Sequence, residues 1–411
     1  MMNLPFRSLL LACALLMVPL LSFAQTDTSL SRSLSYFDPP YFTYGKGLGI
    51  TAPDSLFQLN FRFRMQNRIG VQMEEGEFSD VRARIRRFRL KFNGFVYTPK
   101  IRYAIEIGFS TEDARSPITE VPFGLLRDVM IYYSFDDHWT LGFGQTKLPG
   151  NRERVVSSGD LQLADRSPAN GVFNIDRDFG LQGYYTNSIG GTAPYMVKGA
   201  ITSGEGTNWI SSPGVHLSYT LRGEVLPFGS FAKRGDYFQG DLTREASPRL
   251  SVGLVFNYND GALREAGQRG DLLFEPRTIR NFMADVMFKY KGWAFMTEFM
   301  TRHASDPVTY NPQDSSDVVY VFNGRGFTLQ GSYLFPIDLE VAARYASVYP
   351  NEEIREYSPT RQNYYTAGVT QYIRGHRLKV QLDATYLDSA AFGDISAVDT
   401  WSFRFQVELG I

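Results

Sequence analysis

Nine basic side chains pose the first chemical question. Arg62, Arg64 and Arg68 are followed by Arg82 and Arg84, then by Arg87, Arg89 and Lys91, and finally by Arg102. Within each group the spacing is even, which places the side chains on one face of a β-strand. Guanidinium groups stay charged at any relevant pH and grip oxyanions through paired donors. A row of them along a narrow water path would enrich anions. Acids fall on the same face elsewhere: Glu224, Asp285, Glu298, Asp338, Glu340 and Asp383. Two readings follow. Either the basic row sets a net anion preference, or the acids cancel it and leave a general aqueous pore, passing sugars or peptides.

A second group lies in residues 148–177, LPGNRERVVSSGDLQLADRSPANGVFNID followed by Arg177, which lack alternation apart from a possible helical turn near 152–157. A connection of that length in a compact fold has its own structure. Folded inward, it would narrow a pore and present Arg152, Arg154, Ser157, Ser158 and Arg166; folded outward, it would be a lid or a subunit contact. Other chemistry is sparse. His216 and Ser218 share a face, a pairing that would suit a hydrolase of the outer membrane, but no Asn or Asp pattern orients the imidazole. His138, His303 and His376 show no metal-ligand spacing, so no metal and no cofactor is expected. Glu74, Glu75 and Glu77 read as a solvated acidic face. The net charge of −1 does not point to nucleic acid.

The elements that must hold these residues are strands. After Arg87 the apolar side reads Phe88, Leu90, Phe92, Gly94 and Val96, and the polar side Arg89, Lys91 and Asn93. The phase changes at Arg86-Arg87, which predicts a β-bulge. Alternation of this kind continues to the last residue, in sixteen stretches: 56–71, 81–98, 100–110, 127–135, 138–147, 178–187, 194–203, 214–227, 248–258, 278–290, 292–302, 322–335, 337–348, 363–373, 376–387 and 399–411. Tight connections such as Asp136-Asp137 and Lys291-Gly292 alternate with long ones such as 259–277 and 303–321. One connection, 228–247, is long where parity demands a short one, so either it is an excursion on the tight-turn rim or the count slips there. Long strands rich in aromatics near their ends, with one polar face, suit a wall between lipid and water. The fold class is therefore all-β: a sixteen-stranded antiparallel transmembrane β-barrel over 55–411, with a constriction loop folded into the lumen.

The ends agree with an outer-membrane address. Arg7, the apolar run Leu9–Leu21 and Ser22-Phe23-Ala24 have the form of a signal peptide, 1–24, cleaved after Ala24. Cys13 is the only cysteine, so the remaining chain could form neither disulfide nor thiolate metal site. Residues 25–54, with Asp38-Pro39-Pro40, read as an irregular periplasmic segment. The last strand alternates Trp401, Phe403, Phe405, Val407, Leu409 and Ile411, resembling the signal read by the barrel assembly machinery, though that signal more often ends in Phe.

FRLKFNGFVYTPKIRYAIEIGF, GQTKLPGNRERVVSSGDLQLADRS and YTAGVTQYIRGHRLKVQLDATY, in that order, resemble the phosphate-selective porin O and P family. The resemblance implies a sixteen-stranded, trimeric outer-membrane channel embedded in lipid, passing small hydrophilic solutes by passive diffusion and favouring anions such as phosphate. It implies that a basic ladder feeds a constriction built partly by the third loop. In phosphate-specific members a lysine, a serine three residues on and an arginine nine further serve the anion site. Arg154, Ser157 and Arg166 occupy that spacing, with arginine in place of the lysine and Asp165 adjoining Arg166.

Overall fold

The computed structural model describes residues 41–44, 47–52, 56–110, 113, 125–208, 216–392 and 399–411. The expected leader, with Cys13, and most of 111–126 lie outside them. Sixteen strands form the wall: β1 Phe57–Glu74, β2 Glu77–Val96, β3 Thr98–Gly108, β4 Leu126–Ser134, β5 Trp139–Lys147, β6 Arg177–Ile189, β7 Ala193–Thr202 and β8 Ser218–Val225. They continue as β9 Arg249–Arg264, β10 Leu272–Tyr290, β11 Trp293–Ala304, β12 Gly324–Leu334, β13 Leu339–Pro350, β14 Thr360–Tyr372, β15 Leu378–Ala391 and β16 Thr400–Gly410. Each pairs antiparallel with the next, and β16 pairs with β1, so the sheet closes. Closure leaves no free edge in the wall.

Alternation sorts the side chains in the sense opposite to a water-soluble sheet. Along β8, Ser218, Thr220, Arg222 and Glu224 are buried, while Tyr219 and Leu221 are exposed. The bulge expected at Arg86-Arg87 is present: Gln66 pairs with Arg87 and Asn67 with Ile85, leaving Arg86 without a register partner. It lets Arg84 and Arg87 share the inward face despite their odd spacing.

Three expectations about connections need correction. Residues 25–54 are not irregular throughout, because Tyr41–Tyr44 pairs with Leu48–Thr51, which pairs with Gln58–Phe61. The reason is geometric. β16 ends at Gly410, opposite Arg64, so the first residues of β1 would otherwise present an unpaired edge. Residues 259–277 are not a long loop, since β9 and β10 extend and pair as far as Arg264 and Leu272. Likewise β1 and β2 extend to a tight turn at Glu75 (φ 50°) and Gly76 (φ 87°), the left-handed pair that suits a two-residue hairpin.

The connection 226–248 does not mark a slipped count. It joins β8 to β9 on the tight-turn rim and folds back into the barrel, burying Phe231, Asp236, Gln239, Asp241 and Glu245. The segment 148–176 enters from the other rim and carries two short helices, α1 Arg152–Val155 and α2 Pro168–Phe173. Ser167 caps α2 by accepting from the Asn170 amide, and Pro168 occupies the first turn, where its missing N–H is harmless.

Candidate functional site

The two inward segments meet inside the wall. The Gln239 amide donates to Asp160 O at 2.8 Å, the Gln162 amide to Gln239 Oε1 at 3.0 Å, and Arg152 Nη1 to Asp236 O at 3.0 Å. Apolar contacts reinforce the seam. Leu148, Ala169, Phe173 and Ile175 pack on Ala200, Val255, Met283, Met300, Ala346 and Val348, which break the polar pattern of the inner face. Phe173 sits where a side chain on Gly326 would be, 2.5 Å from an added Cβ. Burying one such phenylalanine contributes about 1.5–3 kcal/mol.

The inward acids hold this seam. Glu224 pairs with Arg152 at 2.7 Å, and Asp285 accepts from the Arg152 amide at 3.2 Å. Glu298 accepts from Asn151 Nδ2 at 2.7 Å and the Glu153 amide at 2.6 Å. Glu340 accepts from Gln162 Nε2 at 2.6 Å, and Asp383 from the Ala164 amide at 2.9 Å. Asp338 is different: it lies exposed in the tight turn after β12 (φ 58°), not on the inner face, because the turn needs a left-handed residue there.

The basic row lies on the remaining sector, β1 to β3 with β16. A cavity of about 820 Å³ on its tight-turn side is lined by Arg62, Arg64, Arg89 and Lys91, and by Ser157 from the crossing segment. Arg64 donates to Ser157 Oγ at 3.1 Å and Ser158 Oγ at 2.9 Å. Arg62 donates to Asn93 at 2.9 Å, Arg89 to Glu106 at 3.0 Å and Asp113 at 2.5 Å, and Lys91 lies 3.9 Å from Glu106. Toward the other rim, Arg68, Arg82 and Arg84 line a smaller cavity of about 160 Å³ with Asp165 and Arg404. Arg82 pairs with Asp80 and is largely exposed. Arg87 is buried, donating to Gln66 at 2.8 Å. Arg102 stands at the tight-turn rim, donating to Ser134 at 3.0 Å.

Asp165 adjoins Arg166 in the chain, but its carboxylate turns to other arginines: it pairs with Arg68 and lies 3.4 Å from Arg86, 3.8 Å from Arg87 and 3.8 Å from Arg404. Burial would raise its pKa, but Arg68, Arg86 and Arg87 hold it well below the usual carboxylate range. Arg404 could have been found from sequence, since closure sets the last strand against the first. Arg154 pairs with Asp176, and Arg166 donates to Glu153 O at 2.7 Å and Val156 O at 2.6 Å. Arg154, Ser157 and Arg166 are thus gathered in one segment, with Ser157 alone of the three lining the cavity. Burial draws Arg166 down to about 10, which leaves it charged at neutral pH. His216 precedes β8 rather than lying on it, 3.7 Å from Asp260, while Ser218 accepts from Asn257 at 3.0 Å. The two are not hydrogen-bonded to each other among the described residues.

No curated protein matches the chain. Solved outer-membrane proteins do share its fold. The outer membrane channel DcaP of Acinetobacter baumannii is similar at 13% identity and a TM-score of 0.52, over 86% of this chain and 97% of that one. An anion-selective porin from Comamonas acidovorans gives 11% and 0.51, over 86% and 99%. OprB of Pseudomonas putida gives 10% and 0.53, over 86% and 94%. A family model described as phosphate-selective porin O and P matches residues 57–232. From β1 through β8 and into the inward excursion, then, the sequence matches phosphate-selective porin O and P, on a barrel with the fold of outer-membrane porins.

Proposed function

We propose that the chain is an outer-membrane porin of a Gram-negative bacterium that passes small hydrophilic solutes by passive diffusion and favours anions such as phosphate. The observation that carries this reading is the lining of the 820 Å³ cavity: eight Lys and Arg side chains against three carboxylates, Glu106, Asp160 and Glu408. The acids that might cancel the field, Glu224, Asp285, Glu298, Glu340 and Asp383, are buried against the crossing segment rather than facing that cavity. A low-dielectric wall focuses the surplus positive field on the water path.

Arg62, Arg64, Arg68, Arg82, Arg84, Arg87, Arg89, Lys91 and Arg102 then act as a guide of graded exposure. Ser157 offers a hydroxyl beside Arg64, and Arg154 and Arg166 add charge from behind the loop backbone, so 148–177 serves as the constriction. Conduction requires each contact to be weak enough to release the solute. The family resemblance brings with it a signal peptide, insertion by the barrel assembly machinery and a homotrimer. Reversal potentials in planar bilayers under a potassium chloride gradient test the anion claim, and single-channel currents in chloride, phosphate and pyrophosphate rank the solutes. Zero or cation-selective reversal potentials would favour the general porin instead.

A further inference from the structure

The outer wall carries a feature that the pore does not use. A concave groove of about 980 Å³ crosses β5 to β11. Its floor is glycine: Gly183 of β6 and Gly199 of β7 are register partners on the outward face, where an added Cβ would meet nothing closer than 4.0 Å. Leu141, Leu181, Ile201, Leu221, Phe256 and Phe282 form its sides. Trp139 and Tyr185, with ring centres 4.6 Å apart, close the tight-turn end.

The opposite end is cationic. Arg280 and His303 face each other across the β10–β11 ladder and both point outward. Among the described residues neither has a hydrogen-bond or ion-pair partner, and Arg280 lies 5.8 Å from the Tyr258 ring centre. Arg325 of β12 is outward too, opposite Thr301 and 4.7 Å from the Tyr349 ring centre. The carboxylate on the adjoining strand, Asp260, is already engaged, accepting from Thr278 at 3.1 Å beside His216.

The level of these cations is informative. Arg280 is ten residues from Tyr290, whose register partner Trp293 belongs to the aromatic band at the tight-turn rim. At ~3.3 Å per residue and a tilt of ~40°, that separation spans about 25 Å, the height of the apolar band of such barrels. Arg280 and His303 therefore stand at the second interface, where a charge on the lipid face is tolerated and lipid phosphates lie.

We propose that this groove is a binding site for one phosphate-bearing membrane lipid. Its acyl chains lie on the glycine floor between the apolar sides, and its phosphate sits between Arg280 and His303 with Arg325 beside them. An imidazole can donate to phosphate whether or not it carries the second proton. The proposal rests on the barrel lying in a bilayer and is indifferent to which solutes the pore passes.

Native mass spectrometry of the full barrel, released from detergent after incubation with phosphatidylglycerol or with a neutral dialkyl glycolipid of equal chain length, tests it. The wild type should hold one phosphatidylglycerol per chain, about tenfold more tightly than the glycolipid. Arg280→Ala/His303→Ala should abolish that difference. Gly183→Leu/Gly199→Leu, which fills the floor at two positions where a Cβ has room, should weaken both lipids together. Single-channel conductance and reversal potential should match the wild type in both variants, which establishes folding and separates this test from that of anion selectivity. Three results would overturn it: equal retention of the two lipids by the wild type, unchanged retention in either variant, or an oligomer that Gly183→Leu/Gly199→Leu breaks into single chains.

Discussion

Two sectors of one inner wall use charge in different ways. From β8 to β15, Glu224, Asp285, Glu298, Glu340 and Asp383 are engaged by backbone amides and side chains of the crossing segment. From β1 to β3, Arg62, Arg64 and Lys91 still border the cavity. In the first sector charge is structural: it fastens a loop whose own polar groups would otherwise be buried without partners. In the second, the same inward alternation leaves charge beside water. Inward position thus separates lipid from lumen but does not separate an anchor from a guide.

The sharpest way to break the contrast is to loosen the anchored side. Arg152 is fully buried between Glu224 and Asp285, which Arg222 also engages, so Arg152→Met should remove one of the two guanidinium partners from each carboxylate, at up to about 3–5 kcal/mol. A lower urea midpoint and a larger, noisier single-channel current should result as 148–177 leaves the wall. On the basic side, Arg62→Gln/Arg64→Gln/Lys91→Gln should lower the anion-to-cation permeability ratio about tenfold in 0.1 M salt, read from reversal potentials. In the wild type, raising salt to 1 M should erode the ratio as the screening length falls from ~10 Å to ~3 Å.

Asp165 joins the two sectors, since it belongs to the crossing segment yet occupies the arginines of the basic one. Asp165→Asn should remove the carboxylate that Arg68, Arg86, Arg87 and Arg404 share, so that inorganic phosphate blocks chloride current about tenfold more tightly. Unchanged block would mean that those arginines do not meet the permeant ion.

The smallest expected effect lies outside both sectors. Glu205, between β7 and β8, accepts from the Leu263 amide at 3.4 Å, and burial raises its pKa from 4.5 to about 7. The folded state therefore holds the proton more tightly than the unfolded chain. The resulting stability is full below pH 4.5, falls as pH rises, and is lost above about 7. Hydrogen exchange at Leu263 should follow that slope, and Glu205→Gln should flatten it without changing selectivity.

Much of the barrel was legible along the chain. Sixteen runs of alternation, the bulge at Arg86-Arg87 and the odd length of 228–247 each follow from local pattern and parity. The ends of β9 and β10 were not, because Ala262, Leu273 and Ile279 gain their burial from Ala304 and Val321, far along the chain. Nor was the strand Leu48–Thr51, whose reason for forming is the length of β16. At the candidate site, the basic row could be read from spacing, whereas Phe173 against Gly326 and Asp165 among four arginines could not.

Which side of the wall each residue faces is written into the chain, since a strand's two-residue period depends on nothing beyond the strand. Which of the inward-facing charges border open space and which are buried against the crossing segment was settled by folding. The connection 148–176, folded inward, brings Arg152 to Glu224, Gln162 to Glu340 and Asp165 to Arg68, pairings between residues whose separation in sequence carries no periodic signal.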